Sequence, residues 1–334
     1  MSVFAAALLW IALPSQAQPA PSAPPAAPAV LVPVALPAPR HGHRIELVDG
    51  GLLCFGGFGD ASVPDRETRQ TWWLAPGSKK WERRADMGTG RAFFASAVVH
   101  GAAFALGEGL ERYDSKHDRW EPVPITGAAP GDWPRSHFAA AAVGSTIYAL
   151  GGYGGRRTGL LAIDLGPGSP EGGPTAALRE LPAPPGFDVG DHFHCLQTLQ
   201  QKLHVLGGLD GVKFEPQVEH WVLPDDRPGQ SVAASPWKPG AAPPVGLWAK
   251  FTVQARSGES LYLFGDFGAW RFESSAGTWT ERARPPFLMA MPQAVSLDGS
   301  IWVIGGMRVG AEEDRVPILL RYDQADDRWT VLGG

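Results

Sequence analysis

The stretch Thr146-Ile-Tyr-Ala-Leu-Gly-Gly152 decides how this chain is read, because it returns. Close copies stand at Leu52-Leu-Cys-Phe-Gly-Gly57, Leu203-His-Val-Leu-Gly-Gly208 and Ile301-Trp-Val-Ile-Gly-Gly306. Ala103-Phe-Ala-Leu-Gly-Glu108 and Leu261-Tyr-Leu-Phe-Gly-Asp266 keep only the first glycine. Around each copy the same signals recur. A small-residue strand such as Arg135-Ser-His-Phe-Ala-Ala-Ala-Ala-Val143 comes before it. A third strand such as Leu110-Glu-Arg-Tyr113 follows, then a polar turn and a strand opening at a Trp, as at Trp120 and Trp329. The glycine-ended strand is apolar at consecutive positions, as expected where both sheet faces are covered. Four strand signals per repeat of roughly 40–58 residues predict an all-β ring, a six-bladed β-propeller of four-stranded antiparallel blades. The units read as 41–87, 90–125, 133–185, 190–242, 246–286 and 287–334.

The Gly-Gly, aromatic and Trp spacing resembles the Kelch family, over about residues 41–334. That resemblance implies a Kelch-type ring in which the lead-ins to the first strands and the connections after the second strands meet on one face. The family commonly uses that face to bind partners or ligands.

Residues 3–13 are a short apolar run, and Ser15-Gln-Ala17 puts small residues before a cleavage point. Residues 1–17 are therefore expected to be a signal peptide, without a transmembrane segment. Residues 18–40, dominated by Pro and Ala, are expected to be an extended linker. An exported, periplasmic or extracellular location follows, and with it a likeness to exported bacterial Kelch-like proteins. Ring closure stays open at this level. Val30-Leu-Val-Pro-Val-Ala-Leu36 either adds to the last blade or is a tether. The net charge of −5, with no Lys/Arg cluster, argues against nucleic acid as the main partner. Cys54 and Cys195 fall in units one and four and read as buried free thiols.

The expected binding face collects Arg40, Arg91, Arg135, Asp191, His192, Trp248 and Lys250 from the lead-ins. From the later connections it collects Tyr153, Arg156, Arg157, Asp210, Asp266, Phe267 and Arg308. Arg forks fit carboxylates and aromatic rings offer stacking surfaces, so a protein or glycan ligand, acidic peptides and acidic sugars included, suits this face. His41-Gly-His43 and His192-Phe-His194 each put two imidazoles on one side of a strand. No spacing there is diagnostic of a metal, and a structural role is expected, with no cofactor and no metal. Glu312-Glu313-Asp314-Arg315 reads as a solvated charge run.

The chain is read as a monomeric, non-catalytic binding module. The alternative is a sugar mutarotase acting on an acidic sugar, by resemblance to exported bacterial sialic acid mutarotases of the same architecture. Glu108, Asp191, His192 and Asp266 would then be the candidate acids and bases. No Ser-His-Asp order, nucleotide loop or zinc signature stands in the sequence.

Overall fold

The computed structural model describes residues 30–333, apart from 60–65, 128, 130, 133, 135, 156–158, 167–174, 188–193, 211–212, 214, 225–235, 248–251 and 311–316. The expected six-bladed ring is present, and each blade is built from one continuous stretch of chain. Blade 1 holds Arg44–Val48, Gly51–Phe55, Thr71–Leu74 and Glu82–Arg84. Blade 2 holds Ala95–Val99, Ala102–Leu106, Leu110–Asp114 and Arg119–Pro122. Blade 3 holds Ala139–Val143, Thr146–Leu150, Leu160–Leu165 and Ala176–Leu181, with Ile125–Thr126 added parallel to its outer strand. Blade 4 holds Cys195–Leu199, Lys202–Leu206, His220–Leu223 and Lys238–Pro239. Blade 5 holds Val253–Ser257, Ser260–Gly265, Gly268–Glu273 and Thr278–Glu281. Blade 6 holds Gln293–Leu297, Ser300–Ile304, Leu319–Asp323 and Arg328–Gly333.

The core lies between the blades. Six apolar clusters occupy the six seams, one to a seam. Each second strand is buried along nearly its whole length, because neighbouring blades cover both its faces. Both cysteines sit in these seams as free thiols, and burial pushes the Cys54 thiol up to about 12. Burial raises the Cys195 thiol as well.

The glycine pair makes the seam close. The second glycine donates its N–H to the lead-in of the next blade: Gly57 to the Arg91 carbonyl at 2.7 Å, Gly208 to Leu247 at 3.0 Å, Gly306 to Arg40 at 2.7 Å. A Cβ on Gly56 would stand 2.5 Å from the Phe94 ring, and one on Gly305 would stand 2.5 Å from His43. Contacts that short leave room only for hydrogen. Blades 2 and 5, which lack the second glycine, have the shortest connections after the second strand, Gly107–Gly109 and Asp266–Phe267. In blade 2 Glu108 itself takes the positive φ, 53°.

The outer Trp residues repeat a second contact across the seams. Trp237 donates its indole N–H to the Pro182 carbonyl, Trp279 to Ala241 and Trp329 to Ala283, each to the linker leaving the preceding blade. For blade 1 the acceptor is Val34, at 3.1 Å from Trp81. Residues 30–40 thus stand where a linker from blade 6 would stand. Leu36 is buried, and Leu31, Val34 and Ala35 pack on the cluster between blades 6 and 1. Arg328–Gly333 already supplies the outer strand of blade 6, and residues 30–40 add no strand to it. The ring therefore closes through an ordinary seam, Gly306 to Arg40. Residues 1–29, which include the expected signal peptide, lie outside the described residues.

Inner hairpins turn tightly. Asp49-Gly50, His100-Gly101 and Asp298-Gly299 take positive φ at both central positions, the geometry that matches strand twist. Blade 4 does the same with Gln200 at 50° and Gln201 at 57°, without a glycine. In the same blade His204 Nδ1 and His220 Nε2 lie 2.9 Å apart, and His220 Nδ1 donates to the Ala241 carbonyl. Burial holds both imidazoles below their usual range, His204 at about 4.

Three outcomes follow from these contacts. A chain beginning at residue 41 should unfold several degrees below one beginning at residue 30, because it loses the buried Leu36, worth roughly 1.5–3 kcal/mol, and the lesser packing of the partly buried Leu31, Val34 and Ala35. A thermal melt of the two decides this, and equal midpoints would mean that residues 30–40 carry no stability. Gln201→Gly should stabilise the fold by about 1 kcal/mol, measured by urea unfolding, because the left-handed backbone no longer carries a Cβ. Third, the His pair is neutral in the fold but charges in the unfolded chain. Its contribution is present above pH 6.5 and is lost as pH falls toward 4. Thermal midpoints should drop between pH 7 and pH 5, and drop less in His204→Phe/His220→Phe; an unchanged slope would overturn the assignment.

Candidate functional site

One face of the ring gathers the two sets of segments that the repeat pattern brings together. His41 bridges to Phe58, Ser136 to Tyr153, and Met289–Ala290 pairs with Met307–Arg308. Just inside them runs a belt of peptide hydrogen bonds from blade to blade. Gly42 N–H donates to the Met291 carbonyl at 3.4 Å, Phe93 N–H to Gly42 at 2.9 Å, and His137 N–H to Phe93 at 2.7 Å. All four residues have positive φ, between 53° and 63°. That backbone is unfavourable for Phe and His, and the belt holds them there.

The belt lines up a band of rings over blades 1 to 3. His41 stacks on Phe58 with centroids 5.3 Å apart, and Phe58 meets Phe93 at 5.4 Å. Phe93 meets His137 at 4.7 Å, and His137 meets Tyr153 edge-on at 5.4 Å. The inner members are half-buried, and Tyr153 is 43% exposed. Met307 and Val309 stand exposed over blade 6, beside Arg308, whose guanidinium lies 4.8 Å over the Phe287 ring. Rings held this way present apolar area with little freedom left to lose on binding.

The structure sorts the expected site residues. Tyr153 and Arg308 are exposed on this face. Asp266 is exposed in the short turn of blade 5, and Phe267 beside it packs on the seam between blades 4 and 5. Asp210 is half-buried and accepts from the Lys213 N–H at 2.6 Å. Arg40 and Arg91 are corrected. Both are nearly inaccessible and reach across their own blades, Arg40 Nη1 to the Gly56 carbonyl at 2.6 Å and Arg91 Nε to the Gly107 carbonyl at 2.8 Å. Arg91 also pairs with Glu111 at 2.5 Å. They hold the glycine turns and present no charge to a ligand. Arg135, Arg156, Arg157, Asp191, His192, Trp248 and Lys250 lie outside the described residues. His43 and His194 are buried against Gly57 and Gly208 of their own blades. Among the described residues no three His, Cys, Asp or Glu side chains converge as a metal site.

Below the mouth the axial channel forms a cavity of about 440 Å³ between the six inner strands. Its polar lining was not among the expected site residues. It includes Arg44 and Glu46 of blade 1, Gln197 of blade 4, Gln254 of blade 5 and Gln293 of blade 6. Gln197 donates to Gln254 at 3.4 Å. The available signal was a charged pair, Arg44-Ile-Glu46, in a strand whose counterparts in blades 2 and 3 are Ala-rich.

No protein-family profile matches the chain. Similarity to individual proteins is clear. Over 66% of its length the chain is 25% identical to Kelch-like protein 35 of Mus musculus, covering 33% of that protein. Over 35% of its length it is 33% identical to Kelch-like protein 34 of Homo sapiens, covering 19% of that protein. A stretch of 36% is 29% identical to the flagellar outer arm dynein alpha chain of Chlamydomonas reinhardtii, covering 3% of it. The chain thus spans a third or less of the relatives it matches. Repeat pattern, ring and relatives agree: the chain is a six-bladed β-propeller whose repeats are similar to those of Kelch-like proteins.

Proposed function

We propose that the ring is a protein-binding module and that its partner docks on the aromatic mouth. The observation that carries this is the continuous ring contact from Phe58 through Phe93 and His137 to the exposed Tyr153. Aromatic anchors of this kind supply most of the energy at protein interfaces. The connections after the second strands add relief. They are three and two residues long in blades 2 and 5, which face each other across the ring, and nine to fifteen residues long in the other four. A partner lying from blade 2 to blade 5 crosses the mouth over the two short turns. A glycan stacked on the same rings is the second ligand class this surface suits. We also read the chain as an exported protein of a bacterial envelope, supported by the apolar run at 3–13 and the small residues at Ser15 and Ala17. No helix among the described residues is long and apolar enough to cross a membrane.

Photo-crosslinking tests the docking face. A benzophenone side chain at Tyr153 or Met307 should trap one discrete protein adduct in the native host, and the same group at Lys116 in an outer turn should not. Tyr153→Ala with Met307→Ala should weaken capture at least tenfold, about 1.4 kcal/mol or more, with little change in melting. Adducts arising equally from all three positions, or from Lys116 alone, would overturn the assignment.

A further inference from the structure

The channel holds two opposite charges that attract each other across the strand but form no ion-pair contact. Arg44 and Glu46 are two residues apart on the innermost strand of blade 1, about 7 Å along the chain, and their side chains lean to the same side. Arg44 Nε donates to the Phe94 carbonyl at 2.5 Å, and its Nη1 donates to Gln293 Oε1 at 3.3 Å. Its Nη2 makes no hydrogen bond among the described residues, and the guanidinium has no carboxylate in ion-pair contact there. Glu46 accepts from the Ser96 hydroxyl at 2.5 Å through Oε1, which leaves Oε2 without a hydrogen bond among the described residues. Both groups line the cavity. Burial pulls Arg44 down to about 10 and pushes Glu46 up, so each is held where its charge is costly.

A guanidinium taken out of bulk water is usually paired with a carboxylate. Here blade 1 carries two such charges side by side, neither in ion-pair contact among the described residues, and both line one cavity. A simple anion placed on Arg44 would meet Glu46, and a simple cation placed on Glu46 would meet Arg44. A ligand with both charges satisfies both. We propose that the channel is a binding site for a small zwitterion, an amino acid whose carboxylate takes the free edge of Arg44 and whose ammonium takes Glu46 Oε2. Gln293 keeps the Arg44 fork in place, and Ser96 holds the Glu46 carboxylate. The volume suits a small molecule and falls within the usual range of ligand pockets. The cavity opens at the belt and shares Gly42, Phe93, His137 and Met291 with the docking face, but Arg44 and Glu46 lie on the inner strand and are no part of that face, so the two readings are tested by different variants.

The test uses the full chain and three zwitterions that differ only in the spacing of their charges: glycine, β-alanine and γ-aminobutyrate. Acetate and ethylammonium at matched ionic strength are the single-charge controls. At millimolar concentration at least one zwitterion should raise the unfolding midpoint by roughly 2 °C or more and give saturable heat in calorimetry. Neither control should do so. Glu46→Gln, which keeps the shape and the Ser96 contact, should weaken binding at least tenfold with its melt otherwise close to the parent. Arg44→Gln should do the same; Arg44→Lys, which keeps the charge, serves if that variant does not fold, and should weaken binding through loss of the fork. No binding by any of the three, binding untouched by Glu46→Gln, or acetate binding as tightly as the zwitterions would each overturn the proposal.

Discussion

The ring depends on a contact that only glycine permits. At the end of the second strand the chain passes so close to the next blade that a Cβ would overlap a ring or a carbonyl, as at Gly56 and Gly305. That closeness lets the following N–H bond to the next lead-in, at Gly57, Gly208 and Gly306. One such bond contributes only about 1 kcal/mol. Its larger effect is registration, because it fixes where each blade meets its neighbour. The seam clusters can then fill at interior density, and no single blade could bury those residues alone. Where the second glycine is missing, in blades 2 and 5, the chain turns back at once.

The same registration builds the mouth. Once the lead-ins are fixed, the belt from Met291 through Gly42 and Phe93 to His137 runs from blade to blade. It places bulky residues in a backbone region they would otherwise avoid. The cost of that conformation is offset by seams packed on both sides, and the result is a row of rings that cannot scatter. Rigidity of this kind favours recognition, since little ordering remains to be done when a partner arrives.

Much of this was legible in the sequence, and what was not has physical reasons. Blade number and strand order followed from the recurring glycine-ended strand, because the constraint acts once per blade and leaves the same mark each time. The meeting of lead-ins and connections on one face was legible for the same reason. Arg40 and Arg91 were read as ligand contacts, and each instead bonds the glycine turn of its own blade; an arginine turned inward and one turned to solvent leave the same mark in a sequence. Ring closure was hidden because residues 30–40 look like a spacer. Their Pro-rich character is in fact that of the inter-blade linkers near Pro182, Ala241 and Ala283, and the Val34–Trp81 bond shows the equivalence.

Residues that break the repeat carry different information from residues that make it. Inner strands of blades 2 and 3 put Ala95, Ala97, Ala139 and Ala141 where blade 1 has Arg44 and Glu46. Blades 6 and 4 place the uncharged Gln293 and Gln197 at the same two positions, so polarity is tolerated there but only blade 1 brings charge to both. A charge at such a place costs stability unless something answers it. Seam packing therefore accounts for the alanines but not for Arg44 and Glu46. By contrast Arg91, more deeply buried, has Glu111 as its partner and is explained by the fold alone. In a ring of near-identical units, departures in the inner strands are where architecture stops accounting for the residue and a ligand begins to.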